Sequence, residues 1–111
     1  MAQADPRLKK IRIQSGVVKR LTKEKDMYEK EGEQFAQKIE KLKAEGADEY
    51  VLKKQQEVLQ ESRAMVPDTL KRLKSAYEEL KTLLEAENDL AEAEEYKQAE
   101  SALELAKVVV E

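Results

Sequence analysis

The sequence contains no cysteine, no histidine and no tryptophan, and its 111 residues include only two prolines and three glycines. Without cysteine there is no disulfide, no thiolate nucleophile and no cysteine metal site. Without histidine, the commonest general base and a usual zinc ligand are also missing. Carboxylates and lysines remain, but they are spread along the chain rather than gathered into a constellation. Neither an enzyme nor a bound cofactor is therefore expected. No stretch approaches the ~20 apolar residues of a membrane span. No apolar run follows the N-terminal charges, as a signal peptide requires. Together these absences predict a soluble, cytoplasmic protein that does not engage membranes.

Charged residues and hydrophobic residues each make up 41% of the chain. The first figure alone would suit a disordered polymer, but the second, arranged with a regular period, does not. The excess lies in Ala, Leu, Glu, Lys and Gln, the composition of long helices and coiled coils.

Asp5-Pro6 opens a helix. Aspartate at the N-cap accepts the orphan N–H groups of the first turn, and proline at the first helical position loses no hydrogen bond. Ala2 to Ala4 read as a frayed end before it. The stripe Ile11, Gln14, Val18, Leu21, Lys25, Tyr28, Gly32, Phe35, Ile39, Leu42 then alternates steps of three and four, which keeps one face toward a partner helix. Gly32 costs the helix roughly 1 kcal/mol relative to alanine; it is either a tolerated glycine or a point of close backbone approach. Gly46 suits the left-handed position after a helix, and Asp48 suits the next N-cap. Helix 1 is thus expected over about 6–44, followed by a short antiparallel connection.

The second stripe reads Leu52, Gln56, Leu59, Arg63, Val66, Leu70, Leu73, Tyr77, Leu80, Leu84, with Val51, Val58 and Met65 widening it. Pro67 falls inside. A proline within a helix removes one hydrogen bond and clashes with the carbonyl four residues back, at about 3 kcal/mol. The phase nevertheless continues unchanged across it, and Val66 would be a poor N-cap. This predicts one helix over about 49–85, kinked near Pro67, with a break into two collinear helices as the alternative. Ser62, bonding back to the Val58 carbonyl, would add to the bend. Asp89 with Glu92 fits a capping box, and a third helix over about 90–109 carries Ala93, Tyr96, Ala99, Leu103, Ala106 and Val110. The fold class is all-α, a single domain over 1–111: a three-helix up-down-up bundle or coiled-coil rod. Helix 3 is short enough to leave the distal half as a two-helix hairpin holding Phe35, Ile39, Leu42, Val51 and Val58.

Charge is uneven. Residues 1–46 hold twelve Lys and Arg against eight Asp and Glu, whereas residues 86–111 hold two against eight. Helix 1 and helix 3 are thereby electrostatically matched within the molecule. The alternative is that Lys9, Lys10, Arg12, Lys19 and Arg20 attract an acidic partner. Nucleic acid is not expected, because the chain is acidic overall and its basic side chains alternate with carboxylates.

The segment Gln60-Glu61-Ser62-Arg63-Ala64-Met65-Val66-Pro67-Asp68 resembles the QESRMMIPD segment of the tubulin-binding cofactor A family. Gly16 to Leu21, with Lys23 to Glu31, looks like its GVVKRL.KEK.MYEKE stretch, and Ala93 to Lys97 like its AEEYK. Ala64 and Val66 stand where the family carries bulkier residues. The likeness covers nearly the whole chain. It implies a three-helix chaperone, without enzymatic activity, that holds quasi-native β-tubulin after chaperonin release. Such a chaperone passes its client to other tubulin-folding cofactors for heterodimer assembly, in the cytoplasm and in association with the cytoskeleton. It leaves monomer and homodimer open. By motif, the partner contacts implied are Tyr28, Glu61, Arg63, Met65, Pro67, Asp68 and Tyr96. Read as residues alone, Tyr28 and Tyr96 sit on packing stripes, Arg63 on a seam, and Pro67 shapes the chain; Glu61 and Asp68 are the exposed contacts. The alternative to a client-holding chaperone is a structural or adaptor coiled coil that oligomerises through its distal hairpin.

Overall fold

A computed structural model of the protein describes residues 5–111. The frayed end expected at residues 2–4 lies outside the described residues. Three α-helices run in order: α1 (Pro6–Ala44), α2 (Glu49–Ala86) and α3 (Glu94–Val110), with a short 3₁₀ turn (Asn88–Leu90) before the last. No strand occurs among the described residues.

The helix ends follow local chemistry. At the start of α1, the Arg7 N–H donates to Asp5 Oδ1 at 2.9 Å. At the start of α2, the Tyr50 N–H donates to Asp48 Oδ1 at 3.1 Å. Between them, Gly46 adopts φ +76°. The Ala47 N–H donates to the Leu42 carbonyl at 3.0 Å and the Gly46 N–H to the Lys43 carbonyl at 3.1 Å. That pair of bonds is a Schellman motif, and its left-handed position needs a residue without Cβ.

α2 is one helix with Pro67 inside it, so the alternative of two collinear helices does not hold. Ser62 does not bond back to Val58: its hydroxyl is buried with no hydrogen-bond partner among the described residues. The start of α3 also differs from expectation. Its N-cap is Ala93, which supplies no side-chain bond. Asp89 sits in the 3₁₀ turn and accepts from Arg7 Nη1 at 3.0 Å instead. A cation across the fold thus outbids the capping box for that carboxylate, because a charged donor forms the stronger hydrogen bond.

The contacts gather into two compact units. Unit 1 takes the first part of α1, through Lys23, with Leu70–Glu111. Here three helical segments run up, down and up. Its core holds Ile11, Val18, Leu21, Leu73, Ala76, Leu80, Leu84, Tyr96, Ala99, Ala102 and Ala106. The four alanines let backbones approach closely around the few large aliphatics. Arg7 fastens one end of the unit, pairing with Asp5 at 2.9 Å and Glu87 at 2.6 Å as well as Asp89. Hydrogen bonds from Arg7 hold the Asp5 carboxyl below the ordinary carboxylate range.

Tyr96 closes the end of α2. It is only 8% exposed, and its hydroxyl donates to the Leu84 carbonyl at 2.9 Å. That carbonyl is among the last four of α2, which have no partner within their own helix. Burial, with Glu100 and Glu85 nearby, raises the Tyr96 pKa above its ordinary value. The folded state therefore holds the phenolic proton more tightly than the unfolded chain, whose tyrosines titrate near ~10. The stability contributed is complete below about pH 10 and is lost as pH climbs from there through the raised folded value. Tyr96→Phe is expected to cost about 1 kcal/mol at neutral pH. It should also flatten the alkaline fall in stability, as read by urea denaturation from pH 8 to 11.

Unit 2 comprises Glu24–Thr69, an antiparallel two-helix hairpin. Its buried residues are Gly32, Ile39, Ser62 and Thr69, so its interior is small and half polar. The stripe of α1 packs as its spacing predicts, with Tyr28, Gly32, Phe35, Ile39 and Leu42 all buried or half-buried. The stripe of α2 needs correction at alternate positions. Gln55, Ser62 and Thr69 turn inward, while Gln56 and Arg63 are exposed. Val51 and Val58 remain 41% and 38% exposed. A Cβ at Gly32 would meet Arg63 Cγ at 3.5 Å, an ordinary contact. Gly32→Ala is therefore expected to stabilise the protein by about 0.5–1 kcal/mol through helix propensity, seen as a rise in Tm. A lowered Tm would mean that the backbones need the glycine.

Candidate functional site

Opposite Gly32, the hairpin of unit 2 opens into a groove of about 660 Å³. α1 contributes Asp26, Tyr28, Glu29, Lys30 and Glu33 to its walls, and α2 contributes Arg63, Val66 and Pro67. Gly32 lines the groove and puts no side chain into it. Tyr28 is half-buried and lines the groove. The stem of Arg63 lies over Gly32, while its guanidinium makes no hydrogen bond or ion pair among the described residues. Three of the neighbouring charges are already engaged: Lys30 and Asp26 with each other at 3.0 Å, and Glu29 with Lys25. Arg63 is thus a five-donor cation held by its stem and available to a carboxylate from outside.

Pro67 borders the same groove. Having no N–H, it leaves the Arg63 carbonyl without its helical donor, which places an acceptor on the α2 backbone one turn before it. The groove therefore offers an aromatic side chain, a proline ring, an unpaired guanidinium and carboxylates from one side of α1. That set can bind a polar, mixed-charge protein surface. It holds no nucleophile and base pair, and among the described residues no cluster of His, Cys, Asp or Glu could hold a metal ion.

The seven implied contacts divide. The structure brings Tyr28, Arg63 and Pro67 together in the groove. Glu61, Met65 and Asp68 fall on the other flank of α2, within about 60° of one another at 100° per residue. Of these, Glu61 and Asp68 are exposed and Met65 is half-buried. Tyr96 belongs to the core of unit 1, with its hydroxyl engaged. The residues missed by sequence reasoning are Asp26, Glu29, Lys30 and Glu33. Their signal was present: they flank the seam positions Tyr28 and Gly32, where charged residues border any cleft that a seam glycine leaves.

A mixed-charge helical surface of this kind is suited to holding another macromolecule. The sequence profile described as tubulin binding cofactor A matches residues 6–103. Tubulin-specific chaperone A of Gallus gallus is 60% identical over 105 residues, covering 95% of this chain and 97% of that protein. The solved structure of human tubulin chaperone cofactor A superposes with a TM-score of 0.79 at 54% identity, over 92% of this chain and 99% of that one. Tubulin-binding cofactor A from Leishmania major superposes with a TM-score of 0.83 at 25% identity, over 97% of this chain and 100% of that one. The chain belongs to the tubulin binding cofactor A family.

Proposed function

We propose that this protein is a tubulin-folding chaperone that binds quasi-native β-tubulin released from the chaperonin, holds it, and passes it to other tubulin-folding cofactors for heterodimer assembly. The setting is the cytoplasm, beside the microtubule cytoskeleton. Membership of the family, whose relatives carry tubulin in their names, supports the client. The single observation that carries the mode of binding is the unpaired Arg63 beside Tyr28 and Pro67 in the groove of unit 2. The action is physical rather than covalent. The side chains cover a surface of the client that would otherwise aggregate or pair prematurely, and release follows when a cofactor competes for that surface. No nucleotide takes part.

The test is sedimentation and pull-down with purified β-tubulin and, separately, α-tubulin. A complex with β-tubulin is expected, and Arg63→Glu should weaken it roughly tenfold or more, with circular dichroism unchanged. Absence of a β-tubulin complex would sink the reading. A second reading, an adaptor that forms a homodimer through the hairpin, is favoured by the exposed Val51 and Val58 beside Met65 on α2. A stable homo-oligomer with no tubulin complex would support it.

A further inference from the structure

Within unit 1, between α2 and α3, lies a groove of about 710 Å³ walled by Lys74, Lys81 and Lys107 around the half-buried ring of Tyr77. None of the three ammonium groups makes a hydrogen bond or ion pair among the described residues. By contrast, Lys25, Lys30, Lys43 and Lys54 each pair with a carboxylate of their own helix. Lys74 and Lys81 stand two turns apart on one α2 face, and Lys107 reaches in from α3. Val110 adds an apolar contact beside the tyrosine.

From this arrangement we infer that the groove is a docking site for an acidic peptide segment of a partner protein, lying extended between α2 and α3. The residue types select the ligand. Three lysines call for anions, but Glu78 and Glu111 share the same walls. Those two carboxylates repel a dense polyanion, such as nucleic acid or a phosphate-rich surface, whose every unit is charged. A peptide can space its carboxylates to meet the lysines and leave apolar side chains for Tyr77 and Val110. Seven residues of helix separate Lys74 from Lys81, about 10.5 Å along the axis. A chain in the extended polyproline II form, with three residues per turn and about 3.1 Å per residue, covers that distance in about three residues and returns its side chains to the same face. The preferred segment therefore carries acidic residues three apart with apolar residues between them. The site lies wholly in unit 1 and does not rest on the reading of the unit 2 groove.

The test uses the full chain and a fluorescein-labelled peptide of sequence Glu-Val-Leu-Glu-Val-Leu-Glu, read by fluorescence anisotropy at low salt. A peptide with every Glu replaced by Gln is the neutral control. Binding of the acidic peptide alone is expected, weakening as salt rises. The triple variant K74E/K81E/K107E should bind at least about tenfold more weakly. The variant K38E/K41E/K43E, with the same change in net charge placed in unit 2, should shift affinity by less than about twofold. Circular dichroism confirms that both variants keep their helices. Equal binding of the Gln peptide, equal loss in both triple variants, or no loss in the first would overturn the inference. So would failure to bind the peptide, whether or not inorganic phosphate or vesicles of phosphatidylserine and phosphatidylcholine bind in its place.

Discussion

Leu80→Ala is expected to cost about 2–5 kcal/mol, the range for deleting a fully buried leucine side chain. Leu80 is completely buried with Leu73, Ile11 and Val18 in the core of unit 1. The surrounding alanines, Ala76, Ala99, Ala102 and Ala106, already bring the helices close, so little collapse is available to close the new cavity. The cost should therefore fall in the upper part of that range. A domain of this size holds a total of roughly 5–15 kcal/mol, so the variant spends a large share of its stability. Its Tm should fall by roughly 10–20 °C. Leu105→Ala, at a position 66% exposed on α3, is the matched control and should change stability by less than about 0.5 kcal/mol. Urea unfolding of the two variants side by side checks both. Similar losses would mean that the outer face of α3 is covered in solution.

The second large effect has the opposite sign. Pro67 stands inside α2 and is exposed, so no packing depends on its ring filling a core. Alanine would restore the missing hydrogen bond to the Arg63 carbonyl and relieve the steric conflict, a gain near ~3 kcal/mol in a helix interior. Losing proline also frees the unfolded chain, which subtracts about 0.4–1 kcal/mol. The net expectation is a stabilisation of about 2 kcal/mol with a small rise in helical circular dichroism. Because Pro67 also borders the groove with Tyr28 and Arg63, β-tubulin binding by Pro67→Ala should weaken while stability rises. A variant both more stable and equally tight would show that the proline serves neither shape nor contact in recognition.

Much of this architecture is legible in the chain. The three-four spacing in α1 identifies its inward face residue by residue, because that stripe has a single apolar reading. In α2 the stripe is ambiguous by one residue at alternate positions. Leu59, Val66, Leu73 and Leu80 are unmistakable, but the positions between them are three or four residues away, and both choices face nearly the same way. The unbroken phase selects Arg63, Leu70 and Tyr77 there; Leu70 and Tyr77 are half-buried as it predicts, but Arg63 is exposed. The structure instead turns Ser62 and Thr69 inward, where small side chains fit between close helices. The start of α3 was illegible for a different reason. Asp89 and Glu92 form a good local cap, but Arg7, eighty-two residues away, offers Asp89 a stronger partner. The same limit applies to the groove. That Gly32 faces Arg63 is a matter of register across two helices, and no spacing within one helix states it.

Unit 2 contains one fully aliphatic buried residue, Ile39, alongside Ser62 and Thr69. Apolar burial is what ties local opening to global unfolding, so this hairpin should exchange its amide hydrogens well before unit 1 does. A client that binds the groove stabilises only the closed hairpin, by an amount set by its concentration relative to Kd. Deuterium uptake across Glu24–Thr69 should consequently slow when β-tubulin is bound, while the amides beside Leu73 and Leu80 keep their own rate. A small, half-polar interior thus makes this segment an intrinsic reporter of occupancy, readable without any label.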